Sequence, residues 1–202
     1  MLCRRFIVPL VFALFAAFSL CEATPLNLDL ALPDITSGFL TVGYDAALQQ
    51  FAVDGTAFSF EVDGIGGPDW QISDGGFALG AWIDNDGGLQ LGSFTISGQI
   101  AGLGATSGTL LYGELTAFGY SAAGIFEFIA SVGGGDLAPM YGSSTGIIID
   151  SWDPNIGGSF ANSFTAYAAG MSDVAPVVPE PASFLLLLGG AIGLAIKRRS
   201  KS

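Results

Sequence analysis

Apolar and polar residues alternate along most of the chain in short runs, which are separated by turns rich in glycine, aspartate, serine and asparagine. A period of two is typical of antiparallel strands that bury one face. Such runs occupy residues 26–32, 39–44, 48–53, 58–62, 77–83, 89–97, 109–118, 125–132, 147–150 and 159–166. Between the two ends of the chain no stretch has a sustained helical period, and residues 133–141 are the segment that could form one helical turn. We therefore predict an all-β domain over residues 24–166, an antiparallel, jelly-roll-like β-sandwich of about ten strands.

The N-terminal end departs from this alternation. Residues 1–23 start with the basic pair Arg4 and Arg5, continue as an apolar run, and end in the small residue Ala23. This order is typical of a signal peptide with a helical apolar part. We expect it to engage the Sec translocon and to be cut by signal peptidase after Ala23. Acylation of Cys21 is the alternative. A lipoprotein signal has a small residue directly before the cysteine, however, and here that residue is Leu20.

A second apolar segment, residues 182–196, lies near the C-terminal end and is followed by a basic cluster made of Lys197, Arg198, Arg199 and Lys201. As a helix it would be about 22 Å long, which is short for a hydrocarbon core of about 30 Å. Basic side chains that reach toward the headgroups can make up the difference. Because basic clusters stay on the cytoplasmic side, we predict a short transmembrane helix over 182–196 and a cytoplasmic tail over 197–202.

The stretch between the domain and this helix is rich in small residues and proline. It ends in the sequence Val178, Pro179, Glu180 and Pro181. Proline cannot continue a helix, and it favours an extended conformation in the residue before it. We predict a flexible stem over residues 167–181, whose extended end suits the cleft of a processing enzyme.

The Pro-Glu-Pro sequence, the short apolar span and the terminal basic cluster, in this order, resemble the PEP-CTERM sorting signal of exported bacterial proteins. The resemblance covers the C-terminal tail only. It implies recognition by an exosortase, a membrane-embedded processing enzyme, and removal of the tail near Pro179–Pro181. It also implies a bacterium with an exopolysaccharide system. The protein would be anchored in the membrane before processing and would then reach the cell surface or the extracellular matrix.

Charge is divided sharply between the ends and the middle of the chain. All six basic residues lie in the two terminal segments, 16 of the 18 acidic residues lie within 24–178, and the chain has no histidine. An acidic domain without cations repels nucleic acid. The absence of histidine, lysine, arginine and cysteine from 24–178 removes the usual general base, Schiff-base amine, phosphate clamp and thiol nucleophile. We therefore expect a non-catalytic domain with no required cofactor.

One acidic motif has the composition of a metal site. Asp84, Asn85 and Asp86 precede two glycines, and their closely spaced oxygens can surround a hard cation such as calcium. The same residue types also favour a hairpin turn. Two interpretations stay open: a turn alone, or a turn that also binds calcium.

The three tryptophans, Trp70, Trp82 and Trp152, each lie within two residues of an aspartate. A ring beside a carboxylate can hold a sugar, because the ring takes the apolar sugar face and the carboxylate takes hydroxyl groups. Rings more often fill the core. Trp82 alternates out of phase with its apolar neighbours and is expected to face solvent. The second hypothesis is therefore a carbohydrate- or calcium-binding module that acts on exopolysaccharide.

A third hypothesis rests on Glu114 and Glu127. If the hairpin of residues 109–132 turns near Tyr120 and Ser121, these carboxylates come opposite each other. A pair of carboxylates is what a glycosidase uses. Two polar positions on neighbouring strands are the simpler interpretation.

Overall fold

The computed structural model describes residues 24–62, 69–103, 106–121, 123–152, 159–166 and 171–176. The predicted signal peptide (1–23), transmembrane helix (182–196) and basic tail (197–202) lie outside these ranges. Within the ranges, no helix has the length and the apolar character needed to cross a membrane.

The described residues form nine strands and one short helix, and every strand pairing is antiparallel. The elements are β1 (Asp34–Asp45), β2 (Gln50–Glu61), β3 (Trp70–Ile83), β4 (Leu89–Ile100), β5 (Thr106–Tyr120), β6 (Ile125–Gly134), α1 (Ala138–Tyr141), β7 (Ser144–Asp150), β8 (Phe164–Ala166) and β9 (Met171–Ala175). The prediction of an all-β, antiparallel domain is confirmed. The helical turn expected within 133–141 is also present.

The sheet closes on itself. Consecutive strands from β1 to β7 pair with each other, β9 pairs with β7 on one side and with β1 on the other, and β1 also pairs with β2. Eight strands therefore form a closed barrel, while β8 pairs with β1 alone. The prediction of a two-sheet, jelly-roll-like sandwich is wrong.

The alternation of residues could not distinguish the two architectures, because a sandwich and a barrel both bury one face of each strand. Most strands are longer than predicted, although the run at 159–166 contributes only the three residues of β8. The runs at 48–53 and 58–62 fall mainly within one continuous strand, β2. Such long strands bend around the barrel at bulges, for example between Thr36 and Ser37. At one bend Gly75 lies so close to the carbonyl of Ala57 that a Cβ would clash.

Two further segments differ from the expected roles. Met171–Ala175, within the stretch predicted as a flexible stem, forms β9 and closes the barrel. Residues 24–33, which include the predicted first strand 26–32, form no strand beyond a single bridge residue at Leu30. We call residues 24–33 the strap, because they run over the outside of the barrel.

The barrel interior is filled with side chains, mainly phenylalanine. The largest fully buried rings are those of Phe51, Phe60, Phe77, Phe94, Phe126, Phe128 and Phe160. An eight-stranded barrel is just wide enough to be filled in this way. The interior therefore serves as the core, and any binding surface belongs on the outside.

The two ends of the barrel are closed differently. At one end, which we call the plug end, Phe160 from the connection between β7 and β8 packs edge-on against Tyr44 and Tyr120, with ring centroids 4.6 and 4.9 Å away. At the other, the helix end, the buried Tyr141 of α1 donates a hydrogen bond to the carbonyl of Val174 at 3.0 Å.

Candidate functional site

The acidic motif after β3 forms the turn into β4. One carboxylate oxygen of Asp84 accepts hydrogen bonds from the backbone N–H groups of Asp86 and Gly88, at 3.1 and 2.7 Å. Its other oxygen accepts one from the side-chain amide of Gln90 at 3.0 Å. The carboxylate of Asp84 therefore organises the turn itself.

The rest of this motif is also tied into the barrel. The hydroxyl of Tyr44 lies 2.9 Å from the carbonyl of Ile83 and 3.2 Å from Oδ1 of Asn85. Within the part of the chain that the structure describes, no three acidic, histidine or cysteine residues form a group that could hold a metal ion. The turn geometry accounts for Asp84 and Asn85, and calcium binding with Asp86 stays a prediction.

The three tryptophans have different surroundings. Trp70 is half-buried against the core, and its ring covers Gly102. Trp152 is 60% exposed, and its backbone N–H donates to the carboxylate of Asp150 at 2.9 Å. Trp82 is 44% exposed on the outer face of β3. Of the three, Trp82 alone is a strand residue that is exposed on the outer face of the sheet.

Trp82 has an apolar partner beside it. Leu91 of β4 is directly opposite Trp82 in the register and is 57% exposed. Side chains at opposite positions of antiparallel strands point to the same face and touch. The two residues therefore form one apolar patch near the plug end, and the exposed Gln50 of β2 lies on the other side of Trp82.

Beyond this patch, the outer face of the neighbouring strands carries small residues. Next to the patch the exposed positions of β2, β3 and β4 are Ala52, Ala78, Gly80, Ser93 and Thr95, and closer to the helix end larger polar residues such as Gln71, Asp74 and Gln99 are exposed as well. The small residues lie side by side in the register, Ala52 with Gly80 and Ser93, and Ala78 with Thr95. We call this outer face of β2 to β5, from Trp82 and Leu91 to Tyr112, the open wall.

Tyr112 of β5 limits the open wall at its far side. It pairs with Thr95, and it is 45% exposed. Its ring contacts Gly133 and Gly134 of β6, which have no side chains to lift it from the sheet. One ring face therefore lies on the backbone and the other faces solvent.

Sequence reasoning singled out Trp82 but missed Leu91 and Tyr112. The signal was available in the alternation, since Leu91 has the phase of Ser93 and Thr95 and is out of phase with the buried Phe94. What the sequence did not contain was the register that brings Leu91 beside Trp82 and Tyr112 beside Thr95.

Two carboxylates lie at the margins of the open wall. Asp54 of β2 pairs with Ala78, and Glu114 of β5 pairs with Ser93. Both are exposed. No lysine, arginine or histidine occurs between residues 24 and 178, so side-chain charge on this face is only negative.

Glu114 and Glu127 are not opposite each other, and the geometry expected for a catalytic pair is wrong. Glu114 pairs with Ser131, whereas Glu127 pairs with Gly119. The reason is the turn, which runs from Ser121 to Gly124 rather than lying near Tyr120 and Ser121. The register of the hairpin is therefore shifted, and the two carboxylates lie at different positions along the hairpin with different surroundings.

Glu127 holds the strap. Its two carboxylate oxygens accept hydrogen bonds from the successive backbone N–H groups of Asn27 and Leu28, at 3.0 and 2.9 Å. The strap continues past Gly119, where Leu26 packs against the strand, and Ala31 donates a backbone hydrogen bond to the carbonyl of Pro176. The strap therefore covers outer positions of β5 and β6 and reaches the end of β9.

A third group of acidic residues lies near the helix end. Burial, the charges of Asp173 and, to a smaller extent, Glu61 raise the pKa of Asp34 to about 7, although a hydrogen bond from the Val174 N–H opposes the shift. Burial raises the pKa of Asp173 as well. Burial and the charge of Asp34 raise the pKa of Tyr141. We therefore expect the stability of the helix end to depend on pH.

Comparison with known proteins identifies the C-terminal tail. Residues 177–199 match the family model of the PEP-CTERM protein-sorting motif, which confirms the resemblance inferred for this tail. The matched segment includes Val178, Pro179, Glu180, Pro181 and the basic residues up to Arg199, all of which lie outside the described residues. No curated protein and no solved structure matches the chain significantly. The motif supports export, membrane anchoring before cleavage, and processing by an exosortase.

Proposed function

We propose that this chain is an exported protein of the cell envelope or extracellular matrix, sorted by an exosortase, and that its barrel is a non-catalytic module. The observation that carries the proposal is the PEP-CTERM motif at residues 177–199. Sec-dependent export and removal of the signal peptide would precede this sorting step.

The position of the motif relative to the barrel supports this function. The closing strand β9 ends at Ala175, and the motif begins two residues later. A cut near Pro179–Pro181 would therefore remove the tail and leave all eight barrel strands in the product. The exported domain would need no refolding after it is released.

The residues of the barrel support a non-catalytic role. Between residues 24 and 178 the sequence contains no histidine, lysine, arginine or cysteine, the side chains that most enzymes use as general bases or nucleophiles. Glu114 and Glu127 are in different registers, and Glu127 is engaged with the strap. These observations favour a structural or binding role on the cell surface or in the matrix.

Cell fractionation tests the sorting half of the proposal. In cells that contain an exosortase, we expect a shortened protein at the cell surface or in the medium, and in cells without it the full-length protein in the membrane fraction. Uncut protein that accumulates in the inner membrane of cells with an active exosortase would overturn the proposal.

A second candidate function is carbohydrate binding. The specific observation in its favour is the exposure of Trp82, with Leu91 beside it, on a sheet face of small residues. Exopolysaccharide, which the sorting motif suggests is present around the released protein, would be the natural ligand. The two candidates are compatible, because a matrix protein can hold its place by binding the matrix polymer.

A further inference from the structure

We propose that the open wall binds one strand of a neutral, extended polysaccharide, with Trp82 and Leu91 under one part of the polymer and Tyr112 under another. This inference rests on the second candidate function and names its ligand class and its full surface. It does not depend on the sorting of the protein.

The first reason is the shape of the wall. Apart from Gly80 and its two chain neighbours, no residue has an atom within 4 Å of where a Cβ on Gly80 would stand, so the centre of the wall is open to solvent. The side chains around it, Ser93, Thr95 and Ala78, are short and exposed. The register places Trp82 and Tyr112 two strands and four residues apart, which is about 16 Å on an untwisted sheet. A surface of this length fits several sugar units of a polymer better than a single sugar.

The second reason is the arrangement of the exposed apolar residues. Large apolar side chains that lie together on a surface usually mark an interaction site. Trp82 and Leu91 are neighbours across β3 and β4, and the ring of Tyr112 lies against glycine with one face in solvent. Flat apolar groups bind the C–H faces of sugar rings, and the carboxylates of Asp54 and Glu114 can accept hydrogen bonds from sugar hydroxyl groups.

The third reason is charge, which decides between classes of polymer. The wall carries the carboxylates of Asp54 and Glu114, and no side-chain cation occurs anywhere between residues 24 and 178. An anionic polymer such as a uronic-acid polysaccharide or a nucleic acid would be repelled. A neutral polysaccharide carries no charge for the carboxylates to repel and offers many hydroxyl donors.

Part of the barrel's outer surface is covered by the chain itself. At Gly119 and Glu127 the strap packs on β5 and β6. By contrast, Trp82, Leu91 and Tyr112 keep about half of their surfaces exposed. The open wall is therefore a regular sheet face on which two rings and a leucine remain available to a partner, whereas the exposed Phe39 stands alone at a bulge of β1.

Affinity electrophoresis of the full-length chain in non-ionic detergent tests the proposal. The protein has a formal net charge of −12 and migrates in a native gel, so binding to a polymer cast into the gel slows it. We expect slower migration in at least one gel of a panel that contains a neutral β-glucan, a mannan or a galactan, and unchanged migration in an alginate gel. Equal migration in all three neutral gels, or slowing in alginate alone, would overturn the proposal.

Substitutions locate the binding surface. We expect Trp82→Ala and Tyr112→Ala each to weaken the apparent association about tenfold, and Trp152→Ala, which removes a more exposed tryptophan outside the wall, to leave it unchanged. Loss of binding in Trp152→Ala with normal binding in Trp82→Ala would contradict the assignment.

Gly80→Val separates binding from folding. The added side chain meets open space on an exposed strand position, and valine favours strands, so the thermal midpoint should not fall. The side chain would nevertheless stand in the middle of the wall, and we expect at least fivefold weaker binding. Binding that survives both Gly80→Val and Trp82→Ala would overturn the proposal. The wall could instead be a contact between two copies of the chain. If sedimentation velocity shows a dimer that both variants abolish, and neither variant changes migration in any polysaccharide gel, the proposal is also overturned.

Discussion

Asp34 illustrates how position changes the chemistry of a single residue. It is the first residue of β1 and pairs with Glu61 of β2, while its carboxylate accepts a hydrogen bond from the N–H of Val174. Burial and the neighbouring charges of Asp173 and Glu61 raise its pKa to about 7. The folded protein therefore keeps a proton on Asp34 that the unfolded chain has already lost above about pH 4.

The predicted consequence is a loss of stability as the pH rises. Between about pH 4 and pH 7 the folded state binds more protons than the unfolded state, so the free energy of unfolding falls with rising pH and levels off above pH 7. Asp34→Asn keeps the oxygen that accepts from Val174 and removes the charge. We expect it to be more stable than the natural protein at pH 8 by about 1–2 kcal/mol, less than the full pKa shift because solvent reaches part of the carboxyl group.

Thermal unfolding at pH 4.5 and pH 8 measures this difference. The natural protein and Asp34→Asn should have similar midpoints at pH 4.5 and should separate at pH 8. Asp54→Asn, which removes an exposed carboxylate from β2, is the matched control and should follow the natural protein. An Asp34→Asn variant that is less stable than the natural protein at pH 8 would refute the assignment.

For single residues, the sequence predicts whether a side chain is buried or exposed where the alternation along a strand decides which face it lies on. The outward position of Trp82 could be predicted because it alternates against Leu79 and Ile83. The raised pKa of Asp34 could not be predicted, since it depends first on burial in the folded barrel and then on the approach of Asp173 from a strand almost 140 residues away.

At the scale of elements, the strap is the segment whose role the sequence disguised. Its leucines alternate with polar residues as in a strand, because Leu26, Leu28 and Leu30 are half-buried while Asn27 and Asp29 are exposed. The alternation was therefore read correctly as one buried face. The partner of that face is the outside of the barrel. The buried carboxylate of Glu127 binds the backbone at Asn27 and Leu28, and backbone pairing is confined to the end of the strap near Leu30 and Ala31.

We predict that Glu127→Gln releases the strap. The amide side chain has one acceptor oxygen where the carboxylate has two, so one of the N–H groups of Asn27 and Leu28 loses its partner. Hydrogen bonds to a charged group are worth about 1.5–3 kcal/mol each, and we expect the free energy of unfolding to fall by about that amount. Hydrogen exchange at the two amides should become faster while the core of the barrel stays protected.

The control for this prediction is Glu114→Gln, a change of the same kind on the neighbouring strand. Glu114 is exposed on the open wall, and its substitution should change the stability by less than about 0.5 kcal/mol. If Glu127→Gln leaves exchange at Asn27 and Leu28 as slow as in the natural protein, the carboxylate does not hold the strap.

Strands that bury one face could be predicted from the sequence, and a strand that depends on distant partners could not. Most runs with strict alternation became strands, because burial of one face is a local signal. The sequence predicts a stem at Met171–Ala175, since five residues that include Ser172 and Asp173 have only a weak strand pattern. These residues become a strand because β7 and β1 leave exposed edges between which β9 supplies both sets of backbone hydrogen bonds.

At the scale of the whole molecule, closure of the sheet was the feature that sequence could not supply. A closed barrel follows from the lengths and bends of the strands, and from β9 joining β7 to β1, all of which are non-local. The targeting tail, in contrast, could be identified from sequence, because its parts are contiguous and their order is distinctive. The chain thus combines a recognisable tail with a barrel whose proposed binding surface depends on strand register.

The sorted product should be a complete barrel from which the tail has been removed. The intact mass of the protein released by cells that contain an exosortase tests this. We expect a species that begins at Thr24 and ends after Pro176 and before Ala182, so that β9 is retained. A released species cut within or before Met171–Ala175, or one that still carries residues 182–202, would contradict it.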